Sequence, residues 1–238
     1  MPRASGTISL GDNTGKGRAS SIHIKLPVKS WGFNKYPIDC TYCMDKHLCN
    51  RQRIVWGQGN MQSPLMFVGM CPGKDGSDVT GMIFTSGTTE APFERLLKFL
   101  GLTRYDIYLT NLVKCRPTTK ILNVKDERVR ACREYLLEEI KLVKPKLIFA
   151  MGRLAATQLC GGYPKFYREN VPNITDSVIT DRDSGIKVIP VHHPSWISYS
   201  DDESRTELWL NNIGGIFHVE GTGIPSERRN SSGLDKYR

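Results

Sequence analysis

Four short apolar segments separated by helical patterns constrain this chain more than any other feature. They are PLMFVG (64–69), DIYLTN (106–111), KLIFAM (146–151) and KVIPVH (187–192). Each is dominated by Ile, Val, Leu, Met or Phe, as strands covered on both faces should be. EAPFERLLKFLGL spaces its apolar residues three and four apart and ends at Gly101. DERVRACREYLLEEIKLVKP does the same, with Asp126 as N-cap and a stop before Pro145. GRLAATQLC predicts a short third helix and RTELWLNNIGGIF a fourth. Strands alternating with helices imply βαβ units. The expected fold is α/β, a three-layer α/β/α sandwich around a central four-stranded parallel sheet. Sites in such sheets lie beyond the carboxyl ends of the strands. Three of these strands end suggestively, in Gly69, in Asn111 and in His192-His193.

The 238 residues suit one large domain with loose ends. Residues 1–30 are rich in Gly, Ser, Thr and Lys without periodicity and read as a flexible arm. Residues 221–238 read as a flexible tail, leaving 31–220 as the domain. Apolar residues make up 39% of the chain, enough for a sizeable core. The formal charge of +9 points weakly to a polyanionic partner, most often nucleic acid. No run is long enough to span a membrane and none resembles a signal peptide, so no membrane partner and a cytoplasmic location are expected.

The seven cysteines are an odd number without a secretion signal, which disfavours a disulfide framework. CTYC pairs Cys40 with Cys43, and KCRPTTKILNVKDERVRAC supplies Cys115 and Cys132. Four thiolates so spaced could hold zinc or an iron–sulfur cluster, and spacing does not choose between them. Cys71 and Cys160 read as ordinary buried thiols. Cys49, in CTYCMDKHLC, is a candidate substitute ligand.

These pieces, in their order, resemble the iron–sulfur (family 4) uracil-DNA glycosylases from about Asp39 to Phe217. The family pattern runs C-x2-C, GxGN, GEAPG, TGxPF, YxTNxxKCRP, kPxxIxxxGxxA and HP[SA]. Here stand CTYC, GQGN, GMCPG, TGMIF, YLTNLVKCRP, KPKLIFAMGRLAA and HPS. The resemblance implies a 4Fe–4S cluster on Cys40, Cys43, Cys115 and Cys132. It also implies DNA as partner, no nucleotide cofactor and a monomer. The implied activity is removal of a flipped pyrimidine base, leaving an abasic site.

By the same resemblance Phe84 is the ring that stacks on the base and Asn111 the amide that reads its edge. His193, in the HPS register, faces the oxygen of the leaving base; His192 is its neighbour and rival. The loop Gly69, Met70, Cys71 lines the remaining wall. This loop departs from the family. Met70 replaces its Glu, Cys71 its Ala, and Ile83 the Pro of TGxPF. Asp75 and Asp78 in KDGSDVTG are the remaining carboxylates that could position water, with turn formation as the equal alternative. The departures leave three outcomes: retained uracil excision, a pocket remade for a modified pyrimidine such as a hypermodified viral base, or an inactive iron–sulfur DNA-binding module. Phosphate contacts are expected from NRQR (50–53), Lys114, Arg116, Lys120 and Lys125, and Trp196 is a candidate wedge into the duplex, with packing in the core as the equal alternative.

Overall fold

A computed structural model describes residues 40–85, 87–119, 122–160, 179–180, 186–199 and 203–219. The arm, the tail and Lys120 lie outside them. In chain order the elements are α1 (Tyr42–Asp45), β1 (Gln58–Gly59), β2 (Leu65–Gly69), α2 (Ser77–Thr80), α3 (Gly87–Phe99) and β3 (Tyr108–Asn111). There follow α4 (Glu127–Val143), β4 (Leu147–Met151), α5 (Arg153–Leu159), β5 (Ile179–Thr180), β6 (Lys187–Val191), a 3-10 segment (Pro194–Tyr199) and α6 (Glu203–Val219).

The four expected strands form the parallel heart of the sheet, in the order β3-β2-β4-β6. The sheet is wider than expected. Two-residue strands β1 and β5 add antiparallel edges, giving β1-β3-β2-β4-β6-β5. Neither edge carries an apolar run: β1 is the Gln-Gly pair of GQGN, so periodicity gives it no signal. Short edges also leave little unpaired backbone for another chain to join.

Two apolar layers sandwich the sheet. One packs Phe67, Phe149 and Ile189 against Phe93, Leu96 and Leu97 of α3 and Trp209 and Ile213 of α6. The other packs Met66, Val68 and Ile148 against Val129, Cys132 and Leu136 of α4 and Ala155 and Ala156 of α5. Alternate residues of each strand feed opposite layers, as the period of two requires. Asp126 caps α4 as expected, its carboxylate accepting from the Arg128 backbone N–H. Helix α3 starts earlier than its apolar pattern, at Gly87, and carries Pro92 inside it. Proline cannot donate to the carbonyl four residues back. That carbonyl, on Thr88, accepts instead from the Ser198 hydroxyl at 2.6 Å.

Lys114 was expected at the surface, on phosphate. It is buried, with only 1% of its side chain exposed, and so is its partner Glu139. Its ammonium donates to Glu139 Oε2 at 2.7 Å, to Thr110 Oγ1 at 2.6 Å and to the Asn111 carbonyl at 2.8 Å. Glu139 also accepts from the Thr110 hydroxyl and, at 3.1 Å, from the Gly57 N–H. Burial makes a cation useless for phosphate and costly unless saturated, which this network achieves. Among the described residues no helix is long and apolar enough to cross a membrane.

Glu139→Ala leaves the Lys114 ammonium buried and unpaired. It is expected to cost about 3–5 kcal/mol in chemical denaturation, with part recovered in a Lys114→Met, Glu139→Leu double variant.

Candidate active site and cysteine centre

The carboxyl ends of β2, β3, β4 and β6 open into one cavity of about 590 Å³, the size of a small-molecule cleft. Phe84, Asn111 and His193 all line it, with Met70, Cys71 and Asp75. Residues scattered over more than a hundred positions meet here because parallel strands deliver their ends to one edge.

Parallel pairing sets Gly69 directly beside Asn111. A Cβ on residue 69 would fall 2.4 Å from Asn111 Oδ1 and 2.9 Å from Phe84 Cζ. Only glycine allows amide and ring to come together there. Asn111 is 1% exposed, and its Oδ1 has no hydrogen-bond partner among the described residues. A buried acceptor left open inside a cavity is unusual and calls for a donor from a ligand. Phe84 faces His193 edge-on, with ring centroids 5.6 Å apart and planes at 75°.

His193 follows β6 and packs against Gly152, whose φ of +88° turns the chain from β4 into α5. Its Nδ1 lies 2.8 Å from the Ser195 hydroxyl and accepts from the Ser195 backbone N–H at 3.3 Å. An Nδ1 that accepts leaves the proton of a neutral imidazole on Nε2. Burial lowers the His193 pKa to about 4, which keeps the ring neutral. His192 does not line this cavity. It stacks on Trp196 at 4.1 Å, and the Arg205 guanidinium covers the other ring at 4.7 Å. Burial, then the Arg205 charge, lowers the His192 pKa to about 4. Trp196 is thus part of a packed stack against the α3 and α6 layer, the packing alternative to a wedge.

The two candidate carboxylates separate. Asp75 is exposed at the cavity rim. Asp78 is fully buried and does not line the cavity. It accepts from Arg116 Nε at 2.8 Å and from the Gln52 N–H at 2.9 Å. A carboxylate so occupied ties the basic 50–53 segment to the stretch after β3. Arg116, expected on phosphate, gives its Nε to this ion pair.

Cys40, Cys43, Cys115 and Cys132 line a second cavity of about 300 Å³, walled by Ile54, Trp56 and Tyr135. The helix α1, the end of the β3 segment and α4 each bring cysteines to it. Among the described residues no three His, Cys, Asp or Glu side chains are grouped tightly enough to hold a single ion. Four thiols line this cavity, and cysteine thiolates are the ligands that zinc and iron–sulfur clusters take. Arg51 donates to the Cys40 carbonyl at 2.8 Å and to Cys115 Sγ at 3.4 Å. Cys49 is buried against Cys43 and Cys115 but does not line the cavity. The Cys49 contact, then burial, push the Cys43 thiol far up, and burial pushes Cys132 up to about 11. These sulfurs therefore hold protons that a metal would displace. Cys71 and Cys160 stand apart, pushed up by burial to about 12 and about 11.

Sequence reasoning passed over Ser195, Gly152 and Glu139, and it expected Arg51 on phosphate, not beside Cys40 and Cys115. Ser195 sits inside the HPS motif and could have been found there. The others act through contacts distant in sequence.

Comparison with known proteins agrees with this geometry. The family model described as "Uracil DNA glycosylase superfamily" matches residues 56–211. A type-4 uracil-DNA glycosylase of Thermotoga maritima is 35% identical over 174 residues, 73% of this chain and 85% of the relative. One from Archaeoglobus fulgidus is 30% identical over 164 residues, 68% of this chain and 79% of the relative. A type-5 uracil-DNA glycosylase of Thermus thermophilus is 30% identical over 120 residues, 45% and 54% of the two chains. The family match takes in Phe84, Asn111 and His193 and most of the domain, and the chain belongs to the uracil DNA glycosylase superfamily, in its type-4 branch.

Proposed function

We propose that this DNA glycosylase seats a flipped pyrimidine in the cavity at the strand ends and hydrolyses its glycosidic bond. The observation that carries this is the buried Asn111 Oδ1, open to a donor between the Phe84 ring and a neutral His193. The base N3–H satisfies Oδ1, and Phe84 stacks on the ring face. As the bond from sugar C1′ to base N1 breaks, positive charge grows on the sugar and negative charge on the base. His193 Nε2–H, aimed by Ser195, donates to the base carbonyl oxygen where that charge collects. Water adds its oxygen to C1′, and its released proton leaves a neutral free base. Asp75, at the rim, is the carboxylate left to orient that water.

The substrate read from the relatives is uracil. A substituted pyrimidine is the second reading, because Met70 and Cys71 wall the cavity with compact apolar groups and about 590 Å³ exceeds the needs of a bare ring. The cysteine cavity fits a 4Fe–4S cluster on Cys40, Cys43, Cys115 and Cys132. When bound, the cluster clamps the C-x2-C segment to the β3 end and α4. Among the described residues of the expected set, Arg53 and Lys125 are exposed and available to phosphate.

DNAs carrying uracil, hydroxymethylated or glucosylated pyrimidines, treated with protein and then alkali, test the reading. Strand breaks at uracil support the first substrate and breaks only at a modified base the second. No break anywhere, with DNA still bound, rejects a glycosylase. His193→Ala and Asn111→Ala should each slow single-turnover cleavage by ~100-fold or more, with DNA affinity kept. Asp78→Asn should lower the melting temperature and leave the chemical step nearly unchanged.

The rate should be level between about pH 6 and 8 and fall toward pH 4, where protonation of His193 breaks its bond from the Ser195 N–H. Stability follows the same sign. The folded pKa lies below the unfolded value of 6.5, so this contribution is complete above 6.5 and lost as pH falls through about 4.

Purified protein should carry ~4 irons per chain, lost on substitution of any of the four lining cysteines and kept in Cys71→Ala and Cys160→Ala. One zinc and no iron on elemental analysis would overturn that cluster.

A further inference from the structure

Phe84 has a left-handed backbone, with φ of +53°. That region is a genuine outlier for a bulky residue and persists only where surroundings enforce it. No strand or helix holds the loop at this point; side chains do. Gln58 Oε1 accepts from the Ile83 N–H at 3.1 Å. On the other side stands Arg104, some twenty residues away in the turn before β3. Its Nη1 donates to the Ile83 carbonyl at 2.5 Å and its Nη2 to the Phe84 carbonyl at 2.7 Å. Its Nε donates to Glu94 at 2.6 Å, which fixes the plane of the guanidinium. The same group lies over the Phe93 ring at 5.3 Å, and Phe93 packs on Phe84 at 4.8 Å.

We propose that Arg104 is a positioning residue for base recognition: its planar fork holds the Ile83 and Phe84 carbonyls and so sets the stacking ring in the cavity. The left-handed turn brings two successive carbonyls to one side, where a fork catches both at once. A lysine keeps the charge but is a point donor, and cannot reproduce two parallel bonds in one plane. Without the fork the backbone relaxes toward the ordinary region and swings the ring. The ring has little tolerance, since Phe84 Cζ already sits where a Cβ on Gly69 would be 2.9 Å away. The inference rests on the reading of this cavity as the base pocket, whereas the ring's dependence on Arg104 is measurable without activity.

The full chain labelled with 4-fluorophenylalanine provides that measurement. The Phe84 fluorine line is assigned by its loss in Phe84→Leu. In Arg104→Lys and Arg104→Ala it should shift or broaden, while the lines of buried Phe67 and Phe149 stay in place. An unmoved Phe84 line overturns the proposal. In parallel, both variants should slow single-turnover cleavage of uracil DNA by ~10–100-fold, the scale of a misplaced group. Their affinity for DNA bearing a tetrahydrofuran abasic analogue, which has no base to stack, should stay within about twofold. A matching fall in abasic-DNA affinity and melting temperature would make Arg104 merely structural and also overturn the proposal. If Arg104→Ala does not fold, Arg104→Lys decides alone. If the unaltered chain releases no base, the glycosylase reading fails, and the fluorine spectra still decide the clamp.

Discussion

The parallel register of β2 with β3 is the constraint from which the site follows. It sets Gly69 beside Asn111 at the sheet edge, and the missing side chain at 69 is the space that Asn111 Oδ1 and the Phe84 ring share. Shifting the register by one residue would put Val68 or Met70 in that space and turn Asn111 to the other face. Everything else at the cavity adjusts to this pair. Gly152 turns the chain away from the end of β4, and Ser195 holds His193 on the remaining side.

A second layer of polar contacts holds this edge in place from behind. Lys114 binds the Asn111 carbonyl and Glu139 while also bordering the cysteine cavity. Arg116 and Asp78 join the segment after β3 to the stretch that follows the cysteine pair. The Lys114 bond to Asn111 thus links a residue of the first cavity to the wall of the second. Taking charges out of water is costly, and their near-complete pairing here fixes geometry more than it adds net stability. A cluster on the four cysteines would brace the same wall from its far side.

Much of the architecture was legible before folding was considered. The four apolar runs are strands because nothing in them tolerates water on either face, and each one stands where expected. Asn111, which ends β3, and His193, in the HPS motif just after β6, were legible as cavity residues, and C-x2-C with two later cysteines pointed to the cavity those four share. The edge strands β1 and β5 were not legible, since two residues carry no period. The burial of Lys114 and of Asp78 went unforeseen for a common reason. A Lys in a basic stretch and an Asp in a Gly-rich loop are usually solvated, and only their buried partners, Glu139 and Arg116, reveal otherwise.

What the sequence by itself determined is the order of layers, the strand ends that carry the site and the residue types available there. Those follow from local patterns of burial and from short spacings along the chain. Only the tertiary structure decided which of two carboxylates reaches the cavity, what occupies His192 outside it, and what holds Phe84 in a left-handed turn. Each of those outcomes depends on a partner far away in sequence: Arg116 for Asp78, Trp196 and Arg205 for His192, Arg104 for Phe84. Contacts of that kind leave no period or motif to read, because their spacing is set by how the layers pack and not by the geometry of any one element.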